Sequence, residues 1–532
     1  MQPSPIQTLN GGTPRKKISR QVSFFHPFSR RLHVMLLLMT GFFLASYMRS
    51  NLGMTMTCIV NTTAVAIETA QNHIDANLTL RDQSIPLQCQ REGLAEEGVP
   101  INDYGGTLIW GQTIQNMLFA GSFGGSLVTV IPAGYLADRT SPMNLYQTSI
   151  LTYVVCTALF PVLAKYTSHY IVFLSRFIMG LGEALIIPAA NAIITRWVPN
   201  QEKSTAAAIF TAGNQFAGVL GIPIAASFCA SSYGWPAVFY FAAFLGVVWS
   251  VVFRLCVSNT PDKANNMSKE ERNFLEENIE KVMPTATRRQ QKVPWSKLLT
   301  SPAVIACFVA ISSQNMVVVL LQAYQPTYMK EVLYLKLVDN GLYSAVPYVI
   351  QIIAKMIWSM TFDYLKASKR ITNTMSCKIS QSFASFTMGL FLFLIPQFTH
   401  CESPGIVVVL FCLVGFGFAA AICGFYTSML SLAPAYIGII SSFAQFVGFV
   451  SMLVPPILVN YFRVYGTLEE WTKIFNIIAG YTVFGGVFFL IFGHGEALPW
   501  GRHSQTSDTD GDEALTVFSE RRMTNIEVTL DQ

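Results

Sequence analysis

The stretch Tyr170-Ile-Val-Phe-Leu-Ser-Arg176-Phe-Ile-Met-Gly-Leu-Gly-Glu183-Ala-Leu-Ile-Ile-Pro188 reads as a membrane-buried helix that carries two charges. Ionisable side chains at membrane depth are costly, so they are rarely left unpaired or unused. Arg176 and Glu183 are seven residues apart, which is two helical turns, so both project from one face, about 10 Å apart. A third such charge, Arg49, lies in the apolar run that includes Leu44-Ala-Ser-Tyr-Met-Arg49. Charges on one face inside an apolar bundle predict a pathway for an anion and a proton.

The composition is that of a polytopic α-helical membrane protein. Of the 532 residues, 52% are hydrophobic and only 12% are charged, whereas soluble domains average about a quarter charged. Apolar runs of about 20 residues recur, each long enough to cross the hydrocarbon core of a bilayer. The first run follows a basic segment and is too long for a signal peptide, so we interpret it as a transmembrane helix. No basic stripe with interleaved aromatic residues indicates nucleic-acid binding.

We predict an all-α protein with twelve transmembrane helices in two six-helix halves. The predicted spans are 33–58, 112–136, 144–164, 170–197, 205–228, 235–256, 302–324, 340–362, 376–396, 405–428, 434–459 and 473–494. The expected domains are a cytosolic N-terminal tail (1–31), a first half (32–256) with a loop at 60–110, a cytosolic central loop (257–300), a second half (301–494) and a cytosolic disordered tail (495–532). Within the central loop, Ser268-Lys-Glu-Glu271 matches a capping box and predicts a surface helix to about Lys281.

The distribution of basic residues predicts the orientation. The N-terminal tail, the central loop and the loop around residues 366–370 are basic and fall on one side, so we assign both termini to the cytosol. The loop 60–110 falls on the other side and carries two glycosylation acceptors, Asn61-Thr-Thr63 and Asn77-Leu-Thr79. We therefore expect a multi-pass glycoprotein of the plasma membrane or of an endolysosomal or vesicle membrane.

The ten cysteines show no metal-binding spacing. Cys58, Cys89 and Cys401 would face the oxidising side, where one disulfide among them is an open alternative. The chain has no Walker loop, no GxSxG elbow and no zinc spacing, so neither an enzyme nor an ATP-driven pump is indicated. We expect no metal and no cofactor apart from a coupling ion.

Motifs spread over residues 33–500 together carry a resemblance to a known family. They are Arg49-Ser-Asn51-Leu-Gly53, Pro132-Ala-Gly134-Tyr-Leu-Ala-Asp138-Arg139, Arg176-x3-Gly180-x2-Glu183-x4-Pro188, Trp197-x-Pro199-x2-Glu202-Lys-Ser204, Gln325-Pro326-x-Tyr328, Leu342-Tyr-Ser344-Ala-Val-Pro347, Ala433-Pro434, Glu469-Glu-Trp471 and Gly495-Glu496-x2-Pro499-Trp500. In this order and spacing, the chain resembles the anion-transporting branch of the major facilitator superfamily. That branch contains sialin, the vesicular glutamate transporters and the type I sodium–phosphate cotransporters.

The resemblance implies a secondary active symporter for an organic or inorganic anion, coupled to H⁺ or Na⁺, with alternating access of the two halves. It assigns anion binding to Arg49 and Arg176, because guanidinium offers a fixed fork of donors to carboxylate or phosphate. It assigns proton coupling to Glu183. Asn51 and Gln314 are expected to line the same site, with interhelical hydrogen bonding as their alternative role. The alternative for the charges is a structural ion pair, for example Arg176 with Glu183.

The resemblance also implies a conformational latch at the cytosolic ends of span two and of its counterpart, span eight. It comprises Gly134, Asp138 and Arg139 in the first half and Asp363 in the second, with a plain loop turn as the alternative. Lys355 is an added charge in span eight, either a substrate contact or a side chain that snorkels to the cytosol.

The chain departs from the glutamate carriers at positions that weigh against glutamate as the substrate. Gln314 stands where those carriers have an arginine, and Phe119 stands where they have a histidine. The expected partners are a small carboxylate or phosphate anion and the lipid bilayer. The alternative function, from another class, is a non-transporting membrane receptor or scaffold on the same fold.

Overall fold

A computed structural model describes residues 25–72, 103–199, 202–261, 264, 267–278, 295–400, 403–433 and 436–501. Over these residues the protein is helical, and twelve of its helices are long and apolar enough to cross a membrane, which confirms the predicted fold class. The helices of the first half are Arg30–Ile59 (span 1), Gln112–Arg139 (span 2), Pro142–Tyr166 (span 3), His169–Trp197 (span 4), Lys203–Phe216 continuing through Ala217–Gly221 to Ile222–Ala230 (span 5) and Gly234–Cys256 (span 6).

The second half repeats the six-helix plan. Its helices are Pro302–Val319 continuing through Leu320–Tyr324 to Gln325–Glu331 (span 7), Leu337–Ala367 (span 8), Asn373–Gln397 (span 9), Pro404–Ala420 continuing through Ala421–Cys423 to Phe425–Leu432 (span 10), Ile437–Met452 with Val454–Phe462 (span 11) and Leu468–Phe492 (span 12). Shorter helices cover Thr62–Asn72, Lys269–Asn278, Trp295–Thr300 and Pro499–Gly501. Several spans extend a few residues beyond the predicted ends, because a helix does not stop where its apolar stretch stops.

Two spans contain a π-helical turn, at Ala217–Gly221 in span 5 and at Leu320–Tyr324 in span 7. A π turn holds one more residue than an α turn, and such turns occur frequently at functional sites. It changes which side chains face the bundle interior over the following turns. The apolar periodicity of the sequence does not reveal either turn.

The surface helix of the central loop, Lys269–Asn278, is anchored to span 1. Ser268 accepts a hydrogen bond from the backbone N–H of Glu271 at 3.1 Å, as the capping box predicts. The Glu271 carboxylate accepts from the backbone N–H of Arg30 at 3.0 Å and from Nε of Arg31 at 3.1 Å. An acid at a helix N-terminus complements the helix dipole, so this helix caps the beginning of span 1. The predicted end near Lys281 lies outside the described residues.

The disulfide of the described structure joins Cys58, at the end of span 1, to Cys229, at the end of span 5. Cys58 is one of the cysteines predicted on the oxidising side, whereas Cys229 is not, because it comes directly after the predicted end of span five. Cys89 and Cys401 lie outside the described residues. Both bonded cysteines belong to the first half, so the bond does not link the two halves.

The two halves share a large apolar core at one end of the bundle, whereas elsewhere their described residues share only a small cluster. We call the end where span 1 begins the N-terminal face, and the end where span 1 runs into residues 60–111 the loop face. Towards the loop face, one core contains side chains of both halves, for example Leu52 and Phe119 with Leu320 and Tyr324. Towards the N-terminal face, each half has a separate core. The structure is therefore a conformer closed at the loop face.

Candidate functional site

The centre of the bundle contains an ion pair between Arg49 of span 1 and Glu183 of span 4. Nη1 of Arg49 donates to Oε1 of Glu183, and the two side chains are 15% and 9% exposed. The hydroxyl of Ser126, from span 2, lies 3.4 Å from the other carboxylate oxygen. Removing one partner of such a buried pair is strongly destabilising, because the remaining charge stays buried without compensation. Three helices of the first half thus build one charged centre.

Gln322 connects this centre to the second half. Nη2 of Arg49 donates to Oε1 of Gln322 at 3.1 Å, and Nε2 of Gln322 donates to Oδ1 of Asn214 at 3.4 Å. Gln322 lies in the π-helical turn of span 7. Span 1 approaches this turn closely at Gly53, where an added Cβ would lie 2.3 Å from the Gln322 carbonyl oxygen. Any side chain at Gly53 would therefore separate Arg49 from Gln322.

Arg176 does not pair with Glu183, contrary to the alternative drawn from the sequence. Its Nη2 donates to the backbone oxygen of Arg49 at 3.3 Å, and its Nη1 lies 3.5 Å from the sulfur of Met179. The guanidinium also lies 5.8 Å from the centroid of the Phe160 ring. The reason is the two-turn separation, about 10 Å along one helix, which span 1 bridges by inserting Arg49. Arg176 is a buried cation without a carboxylate partner among the described residues.

A small cavity lies against this centre, between the two halves. It has a volume of about 20 Å³, and its lining includes Arg49, Arg176 and Gln322 together with Phe119 and Ser122. A second cavity of about 10 Å³ is lined by Asn214, Gln322, Tyr348 and Gln351, among others. A volume of this size holds about one water molecule. A substrate anion needs more room, so the halves must move apart before it can bind.

Asn51 and Gln314, the other predicted site residues, are buried but do not line either cavity. Asn51 is two positions from Arg49, which is about 200° around the helix, so it faces away from the centre. Gln314 lies eight residues, about 12 Å, before Gln322. Among the described residues, neither polar side-chain atom of Asn51 has a hydrogen-bond partner. The amide nitrogen of Gln314 has none either. Gln322 was not predicted from the sequence. The one feature that could have indicated it is that its side chain is polar within the apolar run of span 7.

Polar contacts hold the halves together at the loop face. Nζ of Lys330, in span 7, donates to the backbone oxygen of Thr57 at 2.7 Å. Nε2 of Gln112, in span 2, donates to the backbone oxygen of Val459, in span 11, at 2.7 Å. Both contacts join the first half to the second, so together with the shared apolar core they close this end of the bundle.

Asp103 organises the segment that packs over this seal. Its carboxylate accepts from the backbone N–H groups of Thr63 and Gly105, both at 2.9 Å. Burial raises the pKa of Asp103, but these hydrogen bonds and the charge of Lys330 outweigh burial, so the pKa lies below its ordinary value. The next residue, Tyr104, lies with its ring 4.7 Å from the Lys330 amine. Asp103 thus fixes the backbone that places Tyr104 against the seal.

The predicted latch is described only in part. An added Cβ on Gly134 would lie 3.8 Å from Oγ of Ser442, in span 11, so the two halves approach each other here. Asp363 is 70% exposed and pairs with Lys366 of its own helix at 2.8 Å. The side chains of Asp138 and Arg139 lie outside the described residues, and the latch stays a prediction.

Deeper in the bundle, towards its centre, Lys355 of span 8 reaches across to the first half. Its Nζ lies 3.3 Å from Oγ1 of Thr211, in span 5. This amine therefore points into the interface between the halves. In the part of the chain that the structure describes, no three His, Cys, Asp or Glu side chains cluster as a metal site requires.

Comparison with known proteins agrees with this architecture. The sequence profile of the Major Facilitator Superfamily matches residues 38–456. The uncharacterized transporter slc-17.3 of Caenorhabditis elegans is 38% identical over 505 residues, which is 94% of each chain. Vesicular glutamate transporter 2 of Homo sapiens is 31% identical over 402 residues, covering 75% of this chain and 68% of that protein. Among solved structures, a D-xylose–proton symporter has the same fold, with a TM-score of 0.61, 15% identity and coverage of 88% of this chain and 100% of that chain.

Proposed function

The chain belongs to the Major Facilitator Superfamily, in the anion:cation symporter family of the vesicular glutamate transporters and sialin, and from this premise we propose that it carries a small anion across the membrane by H⁺- or Na⁺-coupled symport. It is a multi-pass membrane transporter, and its described residues contain twelve candidate spans. Relatives named as a vesicular glutamate transporter and as a putative inorganic phosphate cotransporter support a small organic or inorganic anion as the substrate class.

The observation that carries the proposal is the central ion pair and its contact across the halves. Arg49 bonds Glu183 within the first half and Gln322 of the second half at the same time. An anion that binds Arg49 must compete with both contacts. Binding therefore changes the protonation site and the interface between the halves in one step, which is what coupled transport by alternating access requires.

Proton coupling follows from the competition for Arg49. In the empty site, the Arg49 guanidinium compensates the buried carboxyl group of Glu183 through their ion pair. When a substrate anion takes over the guanidinium, Glu183 is left as a buried carboxylate, which is costly until it takes up a proton. Anion and proton then occupy the site together. Arg176 would bind the same anion from the other side of the cavity, since it has no carboxylate to satisfy it among the described residues.

The conformer supports alternating access, because it indicates at which face the two halves separate next. The shared apolar core and the polar seal close the loop face, whereas the halves have separate cores towards the N-terminal face. Opening from this conformer should therefore occur at the N-terminal face. Between the centre of the bundle and that face, the halves meet through a small cluster of Val130, Ala184 and Phe449 and through the contact of Lys355 with Thr211.

The orientation of the proposal places the N-terminal face in the cytosol. The basic N-terminal tail and central loop support this side, and the sequon at Asn61 supports a lumenal or extracellular loop face. Asn61 is partly exposed, and its Oδ1 accepts from the backbone N–H of Ala64 at 2.8 Å. Asn77 lies outside the described residues.

The test is uptake by proteoliposomes that contain the purified full-length chain. Labelled phosphate, glutamate, sialic acid, urate and other carboxylates are offered with an imposed pH gradient, an imposed Na⁺ gradient or neither. We expect at least one anion to accumulate with one of the gradients. If no anion enters under any gradient while the protein is folded, the receptor or scaffold alternative replaces transport.

Arginine variants connect this uptake to the site. We expect Arg49→Ala and Arg176→Ala to abolish uptake while the protein still reaches its membrane. The lysine variants should rescue poorly, because a point charge does not reproduce the guanidinium fork. Arg254→Ala is the matched control, since Arg254 is exposed and donates to the Asn144 side chain at the N-terminal face. Uptake at the wild-type rate in Arg49→Ala would remove Arg49 from the anion site.

A further inference from the structure

The middle of the bundle holds an excess of positive charge. Four acidic or basic residues of the twelve spans lie more than six positions from either end of their helix. They are Arg49, Arg176, Glu183 and Lys355. With Glu183 ionised, three cations face one carboxylate. Buried charge is costly unless it is compensated. The empty site therefore lacks two negative charges.

Lys355 is the cation that the proposed arginine site leaves unexplained. It lies eleven residues from Lys366 in span 8, about 16 Å along the helix from the N-terminal face. A lysine that snorkelled would extend its amine to the membrane surface. Instead, the Lys355 amine reaches the Thr211 hydroxyl of the opposite half at 3.3 Å, and among the described residues no carboxylate pairs with it.

Polar side chains connect Lys355 to the arginines. Thr211, which contacts Lys355, is one helical turn from Asn214, which contacts Gln322, which in turn contacts Arg49. Residues three apart on a helix are neighbours on its surface. The second cavity lies along this path, between Asn214 and Gln322 on one side and Gln351, one turn before Lys355, on the other. The space between the cations is thus already lined by hydrogen-bonding groups of both halves.

We propose that the substrate of this transporter is an organic dianion, with one acidic group held by Arg49 and Arg176 and the other by Lys355. This inference rests on the proposed function and names the substrate class of the same site. Once Glu183 has taken up its proton, three cations remain, and a substrate with two negative charges compensates them better than a monoanion does. Because Lys355 belongs to the second half and both arginines belong to the first, a dianion also draws the two halves together. A monoanion satisfies only one end of the site.

The experiment compares diacids with their own monoamides, which keep the carbon skeleton and lose one charge. The pairs are succinate and succinamate, glutarate and glutaramate, and adipate and adipamate. Each compound competes with uptake of the labelled anion that the proteoliposome panel identifies. For the best chain length, we expect wild type to bind the diacid roughly ten- to a hundredfold more tightly than the monoamide, the range for one charge-assisted hydrogen bond. In Lys355→Gln the two compounds should compete about equally, and Lys355→Arg should keep the preference.

The control is Lys378→Gln, because Lys378 of the neighbouring span 9 donates to the backbone oxygen of Ile491 at the N-terminal face. It should keep the wild-type ratio. The ratio is measured within each variant, so a general loss of folding or of transport rate does not change it. For a variant without transport, the same pairs are compared by the thermal stabilisation they give to the detergent-solubilised protein.

The outcomes separate this inference from the proposed function. If wild type transports an anion but does not prefer any diacid, or if Lys355→Gln keeps the preference, the dianion assignment is wrong and the transport proposal stands. If wild type transports no anion and is stabilised by none, the proposed function fails and the dianion assignment fails with it. A preference lost in Lys355→Gln and kept in Lys378→Gln supports the assignment.

Discussion

Glu183→Gln should uncouple anion transport from the pH gradient without abolishing exchange. Glutamine mimics the protonated carboxyl, so the variant should still bind an anion at Arg49 and carry it in both directions. Glu183 is the one carboxyl in the middle of the twelve spans, so one proton per cycle is the expected stoichiometry. One proton per cycle corresponds to about tenfold accumulation for each unit of pH difference.

The assay is accumulation in proteoliposomes with a pH difference of about one unit and the membrane potential clamped at zero. Wild type should accumulate the anion roughly tenfold, and Glu183→Gln should reach equal concentrations on both sides. Exchange of labelled for unlabelled anion should continue in the variant. Glu469→Gln is the control, because Glu469 is exposed and pairs with Lys473 near the loop face.

The same variant has a predictable cost in stability. Arg49 keeps its contact with Gln322 but loses its ion pair, so a partly compensated cation stays buried. We expect a loss of about 3 kcal/mol, the low end of the range for one partner of a buried pair. A substrate anion should restore more stability to this variant than to wild type. Undiminished pH-driven accumulation in Glu183→Gln would refute the coupling mechanism and leave Na⁺ or another titrating group as the coupling site.

Three further perturbations test other parts of the structure. Gly53→Ala should strongly reduce transport, because its Cβ would lie 2.3 Å from a backbone oxygen of span 7. The control Gly480→Ala, whose Cβ would meet nothing within 4 Å, should transport normally. Equal rates for both variants would show that span 1 need not approach span 7. The pKa of Asp103 is lowered, so its stabilising contribution is fully present above the ordinary carboxyl pKa and is lost only as pH falls through the lowered value. Amide hydrogen exchange of the residues after Asp103 should therefore stay slow at pH 5 in the wild type and become faster in Asp103→Asn. Faster exchange in the wild type already at pH 5 would contradict this. Asn→Gln at both Asn61 and Asn77 should remove any glycosidase-sensitive mobility shift, and a shift that survives in the double variant would reverse the predicted orientation.

The fold could be predicted from the sequence because the bilayer imposes a length and a composition on each span. Long apolar runs separated by polar loops identify twelve helices without any knowledge of their packing. The same reasoning locates Ser268 as the cap of a surface helix. It also finds Arg49, Arg176 and Glu183, because a charge within an apolar run is visible in one dimension.

The partners of those charges could not be predicted, because they depend on how helices pack. Spacing along span 4 places Arg176 and Glu183 on one face, but only the approach of span 1 shows that Arg49 takes the carboxylate. Gln322 reaches Arg49 through a π-helical turn, and no periodicity of the sequence indicates that turn. Gln314 does not line either cavity in this conformer, because the resemblance identifies the span but not the turn that faces the centre, and its role in binding stays a prediction.

The disulfide between Cys58 and Cys229 sets an order of events during biosynthesis. The two cysteines are 171 positions apart in the chain, so the bond cannot form until span 5 has been synthesised and inserted beside span 1. At roughly 5–20 residues per second, this means a wait of about 10–30 s in which Cys58 is a free thiol, which in the predicted orientation faces the oxidising side of the membrane. Any other cysteine that passes through the membrane in that interval is a competing partner. Formation of the bond therefore indicates that spans 1 and 5 have assembled side by side. Non-reducing electrophoresis of pulse-labelled chains would measure when it forms.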